Sequence, residues 1–140
     1  MSECIFCSIV AGEIPGTRIY EDDAVLAFLD VGPIVKGHTL VIPKEHYESL
    51  EDIPQELLCR CMDVVKRVAA VQRRVLGSDG VNLHQANGKA AGQVVPHIHF
   101  HVIPRYCDDG HHWNWNGGSY DSSDEMNETG ALLRDGMEQI

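Results

Sequence analysis

Residues 97–103 read HIHFHVI, an alternation of three histidines with large apolar residues. In an extended strand successive side chains point to opposite faces of the sheet, so the three imidazoles would share one face and the apolar side chains the other. A core can cover the apolar face, but packing gives no reason for a face of three imidazoles. Imidazole can act as nucleophile, acid, base or metal ligand near neutral pH, and we therefore expect the function to reside in this strand.

The spacing favours catalysis over a metal site built from these three histidines. Same-face neighbours on one strand lie about 6.5–7 Å apart, so all three cannot easily ligate one ion through bonds of about 2.1 Å. We expect His99, in the middle, to be the nucleophile, with His97 and His101 orienting it and handling protons. A neutral imidazole is a competent nucleophile and divides one difficult displacement into two easier ones through a covalent intermediate.

Length and composition indicate one ordinary globular domain. The chain has 140 residues, of which 44% are hydrophobic and 23% are charged. It has no run of about 18 apolar residues and no basic segment at the start, so we expect neither a membrane span nor a signal peptide. Five cysteines without a secretory signal are typical of reduced thiols or metal ligands, which favours the cytoplasm.

The negative charge is concentrated in the C-terminal part. Residues 1–107 carry 13 acidic and 10 basic residues, a net charge of −3, whereas residues 108–140 carry 8 acidic residues and only Arg134, a net charge of −7. We expect a domain over residues 1–107 and an acidic extension over residues 108–140 that packs on or near it. This balance argues against nucleic acid as a partner, while a small phosphorylated ligand is compatible with it.

Hydrophobic periodicity predicts an α+β fold. The clearest helix lies between Pro54 and Gly77, where apolar residues recur every three or four positions. Shorter helices are predicted over residues 4–11 and 122–140. Strands are predicted over residues 18–21, 24–29, 38–43, 81–87 and 97–103, with Pro104 ending the last one. This order is not a βαβ alternation and favours an antiparallel sheet with the long helix on one side.

The histidine stretch, preceded by GQVVP at residues 92–96, resembles the defining motif of the histidine triad (HIT) superfamily of nucleotidyl hydrolases and transferases. Further stretches follow in the order of the Hint-like branch of zinc-containing bacterial HIT proteins: IFC (5–7), EIP (13–15), YEDD (20–23), AFLD (27–30), GHTLVIPK (37–44) and His46. The resemblance covers roughly residues 3–106. It implies a HIT-like fold, with an antiparallel sheet of about five strands, one long helix and a short N-terminal helix, and it implies a homodimer.

The resemblance also implies a reaction, the hydrolysis of purine nucleoside phosphoramidates or related nucleoside monophosphate derivatives through a nucleotidyl-histidine intermediate. His99 would attack the α-phosphate. His101 would bind a phosphate oxygen or help the leaving group depart, and His97 would orient the nucleophile through its backbone carbonyl. His38 matches a fourth histidine beside the triad.

Nucleotide contacts are implied in the same way. Asp30 would accept hydrogen bonds from the ribose hydroxyls. The residues that would contact the phosphate and leaving group are Asn87, Gly92, Gln93 and the backbone amide of Val94, and those that would line an apolar slot for the base are Ile5, Phe6, Ile9, Phe28 and Val31. Asp30 and Asn87 could instead stabilise turns, and Phe6 and Phe28 could belong to the core. Many relatives of this type have a hydroxyl residue where this chain has Val94, so one phosphate donor is missing here.

A second constellation begins with the pair Cys4-x-x-Cys7, which is a weak signal when taken alone. The resemblance completes it to a structural zinc site with the ligands Cys4, Cys7, His46 and His97, at one ion per chain and with no catalytic cofactor. The alternative is a pair of reduced thiols on a short helix.

Three other interpretations of the function remain open at this point. The chain could hydrolyse dinucleoside polyphosphates, bind nucleotides in a regulatory role with weak catalysis, or use zinc at the triad as a metalloenzyme. His84 is interpreted as structural. Trp113 and Trp115 could line the substrate pocket or pack at the surface.

Overall fold

The computed structural model describes residues 3–112 and 115–140, and it divides the chain into two compact units, Met1–Asp109 and Gly110–Ile140. Trp113 lies outside the described residues. No helix among the described residues combines the length and the apolar character that a bilayer span requires.

The first unit contains a five-stranded sheet and two helices, and every pair of neighbouring strands is antiparallel. The strands are β1 (Arg18–Glu21), β2 (Val25–Leu29), β3 (Thr39–Pro43), β4 (Gly80–His84) and β5 (Phe100–Arg105), in the spatial order β1-β2-β3-β5-β4. The helices are α1 (Ile5–Val10) and α2 (Gln55–Leu76), and a short 3₁₀ turn covers Lys89–Ala91. The predicted α+β fold with one long and one short N-terminal helix is confirmed.

Helix α2 begins and ends where the sequence predicts. Pro54 stands before its first turn with an extended backbone, and Gly77 ends it in the left-handed conformation at φ 66°. The apolar stripe of α2 packs on one face of the sheet. The buried residues of this first core are Val25, Ala27, Val41, Ile53, Cys61, Val64, Val65, Val68, Ile98, Phe100 and Val102.

The opposite face of the sheet carries a second, smaller core. Successive strand residues alternate between the two, so Val25 and Ala27 face α2 whereas Leu26 and Phe28 face the other side. Helix α1 supplies the rest of this core, whose buried members are Phe6, Ile9, Leu26, Phe28, Leu40 and Ile42. His97, His99 and His101 also belong to this side, because they alternate with Ile98, Phe100 and Val102, which are buried against α2.

The histidine strand differs from its predicted bounds. It begins at Phe100, because the Ile98 amide donates to the carbonyl of Tyr47, at 2.7 Å, and not to a neighbouring strand. It also runs through Pro104, which was expected to end it. Beyond Val102 strand β5 pairs only with β4, and such a one-sided position is where a sheet accepts proline.

Strand β4 is likewise shorter than predicted and ends at His84, three residues before Asn87. Residues 85–87 are held by side-chain hydrogen bonds and not by the ladder, since the Gln85 and Asn87 amide groups bond to each other at 2.7 and 2.9 Å. The sequence pattern of residues 81–87 therefore did not reveal that β4 stops pairing with β5 at His84.

The second unit contains one helix, α3 (Ser123–Met137). Ser122 caps its N terminus by accepting a hydrogen bond from the Glu125 amide, and Asp124 and Glu125 occupy the first turn. The predicted C-terminal helix and its cap are confirmed.

Candidate active site and metal centre

One row of cross-strand partners connects the apolar and the polar ends of the α1 face, by which we mean the face of the sheet that packs against α1. Phe28 pairs with Leu40, Leu40 with His101, and His101 with His84. Directly paired residues in an antiparallel sheet point to the same side. The row therefore changes from apolar side chains on β2 and β3 to imidazoles on β5 and β4.

Four imidazoles gather at the polar end of this row. The ring of His101 lies 4.9 Å from that of His99, 5.1 Å from that of His38 and 5.5 Å from that of His84, measured between ring centroids. His38 and His99 are buried, whereas His84 and His101 are half-buried. The cluster is therefore closed beneath and open enough above to admit a ligand.

The hydrogen bonds of His99 determine which of its nitrogens is available. Its Nδ1 lies 2.7 Å from the backbone carbonyl oxygen of His97. A carbonyl can only accept, so Nδ1 carries the proton and Nε2 of the neutral ring keeps a lone pair. This is the geometry that the role expected of His97, orienting a nucleophilic His99, requires.

A second chain of hydrogen bonds assigns the protons of His38 and His101. The Ile34 amide donates to His38 Nδ1 at 3.1 Å, so the proton of the neutral His38 ring is on Nε2. His38 Nε2 lies 2.9 Å from His101 Nδ1 and donates to it. His101 therefore carries its own proton on Nε2 and offers an N–H group to a ligand.

The backbone amide of residue 34 is thus the origin of this proton order. Asp30 supports it from the other side, with one carboxylate oxygen 3.6 Å from His38 Nε2. The other oxygen of Asp30 accepts from the Gly32 amide at 2.8 Å, so the turn-stabilising role weighed from the sequence is present as well.

Asp30, His38 and His101 could geometrically group around a metal, since one potential ligand atom of each lies within 4.8 Å of the others. The proton order opposes this, because His38 Nε2 bears a hydrogen and has no lone pair to donate. A catalytic zinc at the triad, weighed from the sequence, finds no support in this arrangement.

Burial favours the neutral form of His38, His99 and His101. It lowers the pKa of His38 and of His99, although the Asp30 carboxylate partly opposes the shift in both. For His101, burial and the neighbouring imidazoles of His99, His38 and His84 together lower the pKa to about 4. A neutral His99 is the form that can attack phosphorus near pH 7.

The predicted phosphate residue Gln93 is engaged in holding its own loop. Its Oε1 accepts from the Gly88 amide at 2.7 Å, and its Nε2 donates to the carbonyls of Glu48 and Val95 at 2.7 and 3.1 Å. Asn87 is similarly occupied, since its Oδ1 also accepts from the Leu50 amide at 2.6 Å. Both side chains shape the loop that leads into the histidines.

The remaining loop positions are open. Gly92 adopts φ 90°, a left-handed conformation that favours glycine. Val94 is 88% exposed, and its apolar side chain leaves only the backbone amide as a donor.

The predicted base slot divides into core and rim. Phe6 and Phe28 are buried with ring centroids 5.5 Å apart, and Phe6 also lies 5.1 Å from the His99 ring. Their membership in the core is confirmed. Ile9 is buried beside them, whereas Ile5 is 51% and Val31 100% exposed. The two exposed residues are apolar groups available to a ligand.

The predicted metal residues Cys4, Cys7, His46 and His97 converge, and one potential ligand atom of each lies within 4.8 Å of the others. His97 Nδ1 lies 3.3 Å from Cys4 Sγ, 3.6 Å from Cys7 Sγ and 3.2 Å from His46 Nδ1, and Cys7 Sγ lies 3.4 Å from His46 Nδ1. Bonds of about 2.0–2.3 Å place the ligands of a tetrahedral zinc about 3.3–3.8 Å apart. The four side chains fit such an ion.

Two further hydrogen bonds prepare these ligands. His97 Nε2 donates to the Pro43 carbonyl at 2.9 Å, which leaves the lone pair on Nδ1, the atom that faces the other ligands. The Cys7 amide donates to Cys4 Sγ at 3.4 Å and so holds this sulfur in place within the cluster.

From the sequence, His84 was expected to have only a structural role, but it lies in this cluster. Its proximity to His101 follows from the register of β4 against β5, and the sequence of a single strand does not determine that register. One signal for their proximity was available in the sequence. His84 and His101 both lie on predicted strands, and each stands next to an apolar residue that points to the other face. Trp115 is largely exposed and belongs to the second unit.

Comparison with known proteins agrees with this geometry. The model of the HIT domain family matches residues 11–108. The chain is 40% identical to the protein called Protein hit of Bacillus subtilis over 134 residues, which cover 94% of this chain and 92% of that protein. It is 43% identical to adenylylsulfatase HINT3 of Arabidopsis thaliana, over 74% of this chain and 53% of that one. It is 45% identical to adenosine 5′-monophosphoramidase HNT1 of Saccharomyces cerevisiae, over 73% of this chain and 62% of that one.

Solved structures extend the similarity to three dimensions. A HIT family protein from Bacillus subtilis, 39% identical, superposes with a TM-score of 0.89 over 96% of both chains. A zinc-bound histidine triad family protein from Mycobacterium smegmatis, 40% identical, superposes with a TM-score of 0.76 over 96% of this chain and 97% of that one. With the motif, the fold and the family match in agreement, the chain belongs to the HIT family of nucleotide-binding and nucleotide-hydrolysing proteins.

Proposed function

We propose that the protein hydrolyses purine nucleoside phosphoramidates or related nucleoside monophosphate derivatives through a covalent bond between His99 and the α-phosphate. The observation that carries the proposal is the 2.7 Å hydrogen bond from His99 Nδ1 to the His97 carbonyl, because it leaves Nε2 as a buried, neutral nucleophile. The names of two relatives, an adenylylsulfatase and an adenosine 5′-monophosphoramidase, support this class of reaction.

In the first step His99 Nε2 forms a bond to phosphorus while the bond from phosphorus to the leaving group breaks, and the electron pair of that bond departs with the leaving group. An amine leaving group takes up a proton from solvent water in this step. The ring becomes a nucleotidyl-imidazolium whose positive charge is held by the Nδ1 hydrogen bond to the His97 carbonyl. In the second step a water oxygen attacks phosphorus, the nitrogen–phosphorus bond breaks, and its electron pair returns to Nε2. The protons of the water pass to the product and to solvent.

His101 acts in both steps as a hydrogen-bond donor. Its Nδ1 accepts from His38, so the loss of the Nε2 proton would produce an imidazolate anion, which is unstable at neutral pH. Nε2–H therefore stabilises the charge that develops on the phosphate oxygens but does not transfer its proton.

We expect the nucleotide to lie along the α1 face, with its apolar part at the apolar end and its polar part at the polar end. The base lies toward the apolar end, beside Phe6 and Phe28 and against the exposed Ile5 and Val31. The ribose lies over Asp30, whose second carboxylate oxygen can accept its hydroxyls. The phosphate is held at His99 and His101 and by the backbone amide of Val94, since the Gly92 and Gln93 amides already donate to the carbonyls of Lys89 and Gly88.

Replacing His99 tests the mechanism. His99→Ala should lower kcat/KM for adenosine 5′-phosphoramidate by at least about a thousandfold, because the covalent step loses its nucleophile. Release of AMP from purified protein measures the effect. Lys66→Ala, at an exposed position on the opposite side of the sheet, should retain the wild-type rate. An unchanged rate in His99→Ala would contradict the mechanism, because hydrolysis would then proceed without this nucleophile.

We further propose that Cys4, Cys7, His46 and His97 hold one structural Zn²⁺ per chain. These residues would use the metal as a cross-link between α1, the end of β3 and the segment that carries His99, and no open ligand position would be needed for chemistry. The site requires reduced thiols, which fits a cytoplasmic protein.

Removing a zinc ligand tests this site. Cys7→Ser should reduce bound zinc from one ion per chain to nearly none and lower the thermal midpoint by at least about 5 °C, because the cross-link is lost. Cys59→Ser, at an exposed cysteine outside the cluster, is the matched control and should change neither quantity. The proposal fails if Cys7→Ser retains a full equivalent of zinc by elemental analysis.

The protein should also form a homodimer through α2 and β4. Helix α2 exposes Val71, Val75 and Leu76, and β4 is an edge strand that exposes Leu83. Light scattering should give twice the chain mass of 15.5 kDa. Val75→Asp, at a residue 67% exposed, should give single chains without unfolding them, because it places a charge in the interface. A wild-type mass of one chain would refute the dimer.

A further inference from the structure

His84 stands at the polar end of the cross-strand row, beyond the phosphate-binding imidazoles. It is the direct partner of His101 in the β4–β5 ladder, and the two ring centroids lie 5.5 Å apart. The proposed substrate runs along this row, with its base near β2 and its phosphate at β5. The group on the far side of the phosphate therefore lies toward β4, where His84 is half-buried.

The ring nitrogens of His84 differ from those of the neighbouring histidines in their hydrogen bonding. In His38, Nδ1 accepts from a backbone amide, and in His101, Nδ1 accepts from His38. His99 uses Nδ1 on the His97 carbonyl and needs Nε2 for attack. Neither nitrogen of His84 forms a hydrogen bond to any described residue, so this ring can donate to a ligand without breaking a bond of the cluster.

We propose that His84 is a specificity-determining residue that binds the leaving group and favours nucleotide substrates whose leaving group departs as an oxyanion, such as a sulfate. The inference rests on the proposed function and narrows its substrate class. An imidazole in this position supplies an N–H donor at the place where the leaving group acquires its negative charge.

The chemistry of the two leaving-group classes differs at this point. When His99 Nε2 bonds to phosphorus in adenosine 5′-phosphosulfate, the bond from phosphorus to the bridging oxygen breaks. Both electrons of that bond leave with the sulfate, which departs as a dianion without needing a proton. An amine that leaves a phosphoramidate must depart carrying a proton and does not develop an anionic charge. A donor beside His101 therefore assists the sulfate more than the amine.

The test compares both substrates in the full-length, zinc-loaded protein. His84→Leu keeps the volume of the side chain and removes its donors, whereas His84→Gln keeps one N–H donor group. His84→Leu should lower kcat/KM for adenosine 5′-phosphosulfate by at least about tenfold and for adenosine 5′-phosphoramidate by less than about twofold. His84→Gln should recover part of the loss on the phosphosulfate. Zinc content and thermal midpoint test whether each variant is folded. If His84→Leu does not fold, His84→Gln should still lower kcat/KM for the phosphosulfate more than for the phosphoramidate, by a smaller factor than expected for leucine.

The outcomes separate this proposal from the one on which it rests. Equal losses on both substrates, or no loss on the phosphosulfate, would overturn the role of His84 while leaving the His99 mechanism intact. A larger loss on the phosphoramidate would overturn it too and assign His84 as a proton donor to the amine. If the wild-type protein releases AMP from neither substrate, the proposed function itself is wrong and the inference falls with it.

Discussion

The hydrogen bond from His99 Nδ1 to the carbonyl of His97 is the interaction on which the site depends. It determines the tautomer of His99 and directs the lone pair to Nε2. Its acceptor is held in turn, because the His97 ring donates to the Pro43 carbonyl through one nitrogen and faces two thiols and His46 through the other. His97 thus belongs to the proposed zinc site through its side chain and holds the proposed nucleophile through its backbone carbonyl, so the two sites cannot move independently.

The three imidazoles of the motif are equivalent in sequence but not in protonation. Their differences arise from the backbone groups that surround them: the Ile34 amide fixes His38, which fixes His101, and the Pro43 carbonyl fixes His97. His99 and His101 each keep Nε2 for a ligand, whereas His97 keeps Nδ1 for the cluster with Cys4, Cys7 and His46. Hydrogen bonds of this kind cost no reorganisation when charge develops at phosphorus, so these groups can stabilise the charge that the proposed reaction creates.

Much of this arrangement could be predicted from the sequence, and the failures have identifiable physical causes. The period of apolar residues on α2, its flanking Pro54 and Gly77, and the alternation at residues 98–102 correctly gave the sheet, the helix and the two faces. The HIHFHVI stretch with the companion motifs gave the family. The bounds of β5 were wrong because the Ile98 amide bonds to the Tyr47 carbonyl across the fold. The position of His84 beside His101 was missed because strand register depends on contacts distant in sequence, and no local pattern records it.

The central claim is that a bond between phosphorus and His99 Nε2 forms and then breaks. Rapid alkaline quenching of the protein during turnover of an adenylate substrate, followed by mass spectrometry of its peptides, tests it most directly. We expect the mass of one adenylyl group on the peptide that contains residues 97–101, located at His99 and absent from the protein before substrate is added. Product formation without any such adduct during a single turnover, or an adduct located on another residue, would contradict the account.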